Sequence, residues 1–160
     1  MASNRHLGRI LALQSLYEDD FRRDCGDQSS NLTEILNRNI KRYAKSVDDV
    51  DFVKTLARKV SKNQTDLDKI IQPIAPDWPI DQIARMDRLV LRMSAYELLD
   101  NGDVPPKVVI NEAVELSKAF GGENSSKFIN GVLGTLLRKK DEGNLDLPSS
   151  LVFDKKEDKK

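Results

Sequence analysis

Apolar residues recur every three or four positions along most of the chain, which is the spacing that puts side chains on one face of an α-helix. The longest such pattern runs from Ile80 to about Asp100. Other helices are predicted from about Arg5 onward, from Leu32 to Lys45, and within the stretch KVVINEAVELSKAFGGENSSKFINGVL. No segment alternates apolar and polar residues for long enough to predict a β-strand. The pattern therefore predicts an all-α fold with about six or seven helices.

The segments between these helices carry recognisable start and stop signals. Ser46 with Asp49, and Thr65 with Asp68, resemble capping boxes for a third helix and a short fourth one. A proline-punctuated connector, QPIAPDWP, follows, and its Trp78 is predicted to fill the core between helical layers. In the stretch GGENSS, two glycines end one helix, and Asn124 or Ser125 can cap the next.

The chain divides into a folded body and a tail. Residues 1–140 are predicted to form one helical domain, long enough to bury a single core. Residues 141–160, DEGNLDLPSSLVFDKKEDKK, are largely polar and charged, so they are predicted to form a disordered C-terminal tail. The sequence shows no internal repeat and no sign of a second domain.

Composition narrows the possible functions. The formal net charge is zero, so a role in nucleic-acid binding has to rest on a local patch, with phosphate contacts that are few for this chain alone. A single cysteine excludes an intramolecular disulfide and fits a reducing, cytoplasmic location. The sequence contains neither an apolar export signal nor an apolar run long enough to span a membrane, so no membrane association is expected.

Candidates for catalysis and for cofactor or metal binding are weak. GGENSSK has Ser126 where a phosphate-binding loop requires glycine, and no strand precedes it. Asp48, Asp49 and Asp51 lack the spacing of a calcium loop, and carboxylates in a first helical turn are favoured by the helix dipole. With His6 as the only histidine, a histidine-based catalytic pair finds no support. We expect neither an enzyme nor a bound cofactor or metal.

Two short features favour a binding surface. Arg5 and Arg9 lie four residues apart and share a helix face beside His6, which makes either a small basic patch or an ordinary solvated helix start. Lys127 and Phe128 combine a phosphate-binding cation with a ring on which a base can stack, as in binders of single-stranded RNA. The other interpretation of Phe128 is a core residue at the edge of the last apolar stripe.

Four stretches together resemble one protein family, the NusB transcription antitermination factors of bacteria. They are ALQSLYE at residues 12–18, WPIDQIARMDRLVLRMSAYELL at 78–99, VPPKVVINEAVELSKAFG at 104–121 and SSKFINGVLG at 125–134. The resemblance implies two small three-helix bundles packed across each other. It also implies a non-catalytic adapter that recognises the boxA element in leader RNA of ribosomal RNA operons, within an antitermination complex on RNA polymerase. The partner in that family is the small-subunit ribosomal protein NusE.

The resemblance also assigns site residues. It implies an RNA-binding surface and a surface for the ribosomal protein. The first set is Arg5, His6, Arg9, Asn124, Lys127 and Phe128, and the second is Tyr17, Asp87 and Arg88. Two alternatives stay open. One is a relative of the RNA-binding domain of ribosomal RNA cytosine methyltransferases, and the other is a helical protein–protein adapter that does not bind RNA.

Overall fold

Seven α-helices make up the structure, a computed structural model that describes residues 3–100, 102–151 and 153. They are α1 (Ser3–Asp24), α2 (Leu32–Arg42), α3 (Val50–Lys62), α4 (Gln64–Ile71), α5 (Arg85–Leu99), α6 (Pro106–Phe120) and α7 (Ser125–Asp141). A single 3-10 turn, Ile80–Gln82, precedes α5, and the described ranges contain no strand. The predicted all-α class is confirmed.

The helices pack as two groups of three that meet at α5. Helices α1, α2 and α3 contact one another, as do α5, α6 and α7, while α4 packs against α3 and α5. Both α1 and α3 also contact α5, so the two bundles cross at this helix. Side chains from every one of the seven helices share one continuous apolar core. The predicted arrangement of two small three-helix bundles is confirmed.

Local capping explains where two of the helices, α2 and α3, begin. The Asn31 side chain accepts a hydrogen bond from the Glu34 amide at 3.1 Å at the start of α2. Asp49, rather than Ser46, is the N-cap of α3, and its Oδ1 accepts from the Phe52 amide at 3.0 Å. The carboxylate of Asp49 therefore serves the helix end, as expected for an acidic residue in this position.

The connector between α4 and α5 differs from the prediction. Trp78 does not fill the core, because its side chain is 57% exposed. The reason lies in Gln72, whose Nε2 donates to the carbonyl oxygens of Ala75 at 3.3 Å and Trp78 at 2.9 Å, while its Oε1 accepts from the Ile80 amide at 2.7 Å. These bonds hold the connector as an ordered turn on the surface. Helix α5 consequently begins at Arg85, five residues later than the apolar pattern indicates.

A buried ion pair fastens α1 to α5. Arg9 donates two hydrogen bonds to Glu97, from Nε to Oε2 at 2.9 Å and from Nη2 to Oε1 at 2.8 Å. The two side chains are only 3% and 10% exposed. The Arg9 guanidinium also lies over the ring of Phe52, 5.2 Å from its centroid. Because both charges are withdrawn from water, each depends on the other for compensation.

The beginning of the tail also differs from the prediction of disorder. Leu145, Leu151 and Phe153 pack against the core, and the Phe153 ring lies 5.7 Å from that of Tyr96. The Ser150 hydroxyl donates to Asp66 Oδ2 at 2.7 Å. The apolar residues are few but spaced along the segment, so they find partners that composition alone does not reveal. Residues 154–160 lie outside the described residues, and the division of the chain at residue 140 stays a prediction.

No helix among the described residues combines the length and the apolar character that crossing a lipid bilayer requires.

Replacing Arg9 by methionine is expected to reduce the free energy of unfolding by about 3–5 kcal/mol, because Glu97 is left buried without its partner. Urea denaturation measures the change. Arg5→Met is the matched control: Arg5 is 32% exposed and its ion pair with Asp49 spans 3.9 Å, so its cost is expected to stay within about 1 kcal/mol. Equal effects of the two substitutions would contradict a structural role for Arg9.

Ending the chain after Gly143 is expected to reduce stability by about 1–3 kcal/mol, the balance between lost apolar contacts and regained chain entropy. Each kcal/mol corresponds to about 2–4 °C in melting temperature for a chain of this size. Ending the chain after Phe153 retains every described contact and is the control. If both truncated chains have the same melting temperature as the full-length protein, residues 144–153 contribute nothing to the stability of the fold.

Candidate nucleic-acid interface

The N-terminal basic residues are held by acidic and aromatic neighbours. Arg5 lies over the Phe52 ring, 4.8 Å from its centroid, and remains partly exposed. His6 Nδ1 lies 2.6 Å from Glu112 Oε2 on α6. Arg9 is committed to Glu97, so its guanidinium is not on the surface where the sequence analysis places it. Of the three N-terminal residues predicted to bind RNA, Arg5 and His6 are therefore the two whose side chains reach solvent.

The turn before α7 requires the first of the two glycines that precede the Lys–Phe pair. A Cβ on Gly121 would lie 2.7 Å from the Ser117 carbonyl oxygen and 2.6 Å from Ser125 Oγ, so only glycine fits. The Ser125 hydroxyl accepts a hydrogen bond from the Gly122 amide at 2.8 Å. Asn124 is the N-cap by position, but its side chain makes no capping bond and is exposed. The turn thus fixes the backbone while leaving the Asn124 amide group to face solvent.

Lys127 and Phe128 occupy the first turn of α7. Lys127 is exposed, and Phe128 is partly buried, with its ring against the edge of the core. Phe128 also lines an open cleft of about 320 Å³, which we call the Trp78–Phe128 cleft. Its wall includes Trp78, Ile83, Ala84, Asp87, Asn124 and Phe128. The two interpretations of Phe128, core residue and exposed platform, both describe part of its surroundings.

The two halves of the predicted RNA-binding set lie at different ends of α5. Arg5 shares a cavity of about 360 Å³ with Glu97, whereas Phe128 shares the Trp78–Phe128 cleft with Asp87. Asp87 and Glu97 are separated by about 15 Å along the helix, at 1.5 Å per residue. The structure therefore brings Asn124 and Phe128 together in one cleft, but it does not bring them next to Arg5 and His6.

Two of the three residues predicted to bind a protein partner, Tyr17 and Arg88, lie where α1 meets the start of α5. The rings of Tyr17 and Phe21 stack, with centroids 6.4 Å apart and planes inclined by 8°. The Arg85 guanidinium covers both rings, at 5.8 Å from Tyr17 and 5.2 Å from Phe21. Arg88 Nη2 lies 3.8 Å from Asp20 Oδ2, which also accepts from Arg85 Nε at 2.7 Å. We call Tyr17, Phe21, Arg85 and Arg88 the aromatic–arginine surface.

Arg85 remains charged in these surroundings. Burial lowers the pKa of its guanidinium, but the hydrogen bond to Asp20 and the charges of Asp20 and Asp24 raise this pKa more, so the net shift is upward. The positive charge is nevertheless neutralised locally by the two carboxylates. The aromatic–arginine surface therefore offers a partner aromatic rings and a fixed guanidinium group, but no strong positive electrostatic potential.

Asp87 faces the neighbouring cleft rather than open solvent. It is partly buried, and its Oδ1 is buried without a hydrogen-bond partner in the described structure. Arg88, the next residue, is 16% exposed and donates from Nη1 to the Ile80 carbonyl oxygen at 3.3 Å. The cleft and the aromatic–arginine surface consequently adjoin at the first turn of α5.

Three residues of this region escape sequence reasoning. Phe21 fits the apolar stripe of α1, yet it is 48% exposed because the helix extends past the core at this point. Its spacing of four from Tyr17 is a signal for the ring stack. Arg85 and Trp78 carry no such signal, since only the crossing of α1 and α5 and the Gln72 bonds place them.

Comparison with known proteins gives a consistent result. The family model described as NusB family matches residues 6–138. Transcription antitermination protein NusB of Dehalococcoides mccartyi is 39% identical over 136 residues, covering 85% of this chain and 91% of that protein. The protein of the same description from Chloroflexus aggregans is 40% identical over 141 residues, covering 87% and 90%.

Solved structures resemble the fold described above. NusB of T. maritima superposes with a TM-score of 0.75 at 30% identity, covering 88% of this chain and 97% of that one. A chain from a crystal structure of antitermination factors NusB and NusE in complex with dsRNA gives a TM-score of 0.73 at 25% identity, with coverages of 86% and 98%. The resemblance carried by the four sequence stretches is confirmed, and the chain belongs to the NusB family.

Proposed function

We propose that the chain is a transcription antitermination factor, a non-catalytic adapter that binds the boxA element of ribosomal RNA leader RNA together with the ribosomal protein NusE. It would act in the cytoplasm, within an antitermination complex on RNA polymerase. The observation that supports this best is the start of α7, where an exposed Lys127 stands beside Phe128 in an open cleft. The relatives, which are named as transcription antitermination proteins, support the same role.

The chemistry of this region suits single-stranded RNA. Sequence-tolerant recognition of unpaired strands combines a cation for the phosphate with an aromatic ring for the base. Lys127 and Phe128 provide the two groups in one helical turn, and the exposed Asn124 amide can both donate to and accept from a base edge. Arg5 and His6 would contact a different part of the same strand, toward the other end of α5.

Phosphate contacts by this chain alone are expected to be few. The net charge is zero, and Arg9 is bound internally to Glu97. The strength of binding to RNA depends on the number of phosphates neutralised. A protein partner that supplies further cations would therefore raise the affinity substantially.

The aromatic–arginine surface is the proposed site for that partner. Aromatic and arginine side chains carry much of the binding energy in protein interfaces, and here Phe21 is exposed while Tyr17 and Arg85 hold it in place. Asp87 and Arg88 lie at the margin toward the cleft. RNA and the ribosomal protein would then occupy adjoining parts of one face.

A fluorescence anisotropy titration tests the proposal. Labelled single-stranded boxA RNA is titrated with the chain, with and without the ribosomal protein. Tight binding with the partner and weak binding without it is the expected result. Binding of the ribosomal protein without binding of RNA under any condition would favour the protein–protein adapter instead. The ion pair between Arg9 and Glu97 favours this alternative, because it removes one cation from the RNA-binding surface.

Lys127→Ala is expected to weaken RNA binding across sequences and to reduce the slope of log K against log salt by about 0.7–1, because one phosphate contact is lost. The slope is measured from anisotropy titrations at several salt concentrations. Lys41→Ala, at an exposed position on α2, is the control and should leave the slope unchanged. An identical slope for the two variants would remove Lys127 from the RNA contact.

Phe21→Ala is expected to weaken binding of the ribosomal protein by about 2 kcal/mol or more, the usual cost of removing a central aromatic anchor. The melting temperature should change little, because Phe21 is 48% exposed and is not part of the apolar core. Calorimetry of partner binding measures the loss. Tyr43→Ala removes a ring of similar exposure at the end of α2, and partner affinity that falls equally in both variants would contradict a specific anchor.

A further inference from the structure

We propose that the Trp78–Phe128 cleft receives one unpaired nucleobase of a single-stranded RNA, with the indole of Trp78 as the second stacking surface opposite Phe128. This inference rests on the proposed RNA-binding function and deepens it. A cleft of about 320 Å³ falls at the lower end of the range for small-ligand pockets, which suits a single planar ring system.

The exposure of Trp78 is unusual for its residue type. Tryptophan is highly buried on average, and this one leaves 57% of its surface accessible. Its side chain lies on the wall of a concave site that also carries a partly buried aromatic ring. Two aromatic walls around one open cleft match the chemistry of base recognition, in which unstacked bases insert against side-chain rings.

The backbone that carries the indole is held in position before any ligand arrives. Gln72 anchors the connector on both sides of Trp78, through the carbonyl oxygens of Ala75 and Trp78 and the amide of Ile80. Trp78 in turn donates its backbone amide to the Ala75 carbonyl oxygen at 3.1 Å. A ring on an ordered turn binds with a smaller entropic cost than a ring on a loose one.

Charge directs a base rather than a phosphate into the cleft. No lysine or arginine lines it among the described residues, and Asp87 places a carboxylate in its wall. That carboxylate repels phosphate, whereas an uncharged base meets no such repulsion. Lys127, which precedes Phe128 and is exposed outside the cleft, is suitably placed for the phosphate. An apolar side chain of a protein partner is the competing occupant.

The experiment uses the fact that Trp78 is the only tryptophan of the chain. Single-stranded boxA RNA is titrated into the full-length protein, and the tryptophan emission is followed. Stacking of a base on the indole is expected to quench this emission in parallel with binding measured by anisotropy. Tight RNA binding with unchanged emission would overturn the proposal while leaving the RNA-binding function intact, whereas no RNA binding by the protein with its partner would defeat the proposed function itself.

Three variants sharpen the result. Trp78→Ala is expected to weaken RNA binding by between about 5-fold and 150-fold, the worth of one stacked base, without changing the salt slope, since no phosphate contact is lost. Trp78→Phe keeps an aromatic wall and should recover most of the affinity. Tyr43→Ala is the control for loss of an exposed ring, and its affinity should equal that of the unmodified protein.

RNA with one abasic nucleotide, combined with the Trp78→Ala variant, gives a double-mutant cycle between the base and the indole. If the cleft holds a base, one abasic position in the RNA should weaken binding to the unmodified protein, and Trp78→Ala should add no further loss with that RNA. Strictly additive losses at every abasic position would overturn the proposal. So would a Trp78→Ala variant that binds RNA normally but loses affinity for the ribosomal protein, because the cleft would then receive a protein side chain.

Discussion

The fold depends on covering α5 on every side. Eight consecutive residues, from Leu89 to Tyr96, are buried, so this helix has no face that could be left in water. Helices α1, α3, α4, α6 and α7 all pack against it. Because α5 is shared by the two bundles, its burial fixes how the bundles cross. The surface features at the two ends of α5 are therefore held at a fixed distance from each other. The aromatic–arginine surface and the cleft lie at its first turn, and the cavity beside Arg5 lies toward its other end.

Burying α5 also brings charge into the interior, and this charge is compensated in pairs. Arg92 donates from Nε and Nη2 to the two carboxylate oxygens of Asp68, at 2.7 and 2.8 Å, and Glu97 receives Arg9 in the same two-bond manner. Removing either member of such a pair leaves an uncompensated charge, which costs far more than the pair contributes when it is intact. These arginines specify which helices meet, so they are not available to nucleic acid.

Much of this architecture follows from periodicity, while the site follows from it only in part. The three-to-four-residue spacing is enough to predict about six or seven helices, since a long amphipathic pattern has few other solutions. The same spacing puts Arg5 and Arg9 on one face, yet it cannot tell which of them meets Glu97, a residue 88 positions away. Trp78 is missed for a related reason. A tryptophan between prolines is ordinarily core, and only the hydrogen bonds from Gln72, seen in three dimensions, turn the connector outward. The tail shows the same limit, because composition describes the segment that carries Leu151 and Phe153 as largely polar and charged and does not reveal the surface that receives these two residues.

The way the chain distributes its charges has a consequence for recognition. A protein of zero net charge whose arginines are largely engaged by carboxylates cannot attract a phosphate backbone over a long range. What it presents instead near the start of α5 and α7 are rings: Phe21 held by Arg85, and Trp78 and Phe128 in the wall of one cleft. Stacking is short-ranged and insensitive to salt compared with phosphate contacts. Such a surface would select and orient a strand that another component has already brought close, and this is the division of labour expected between an adapter and a cationic partner bound beside it.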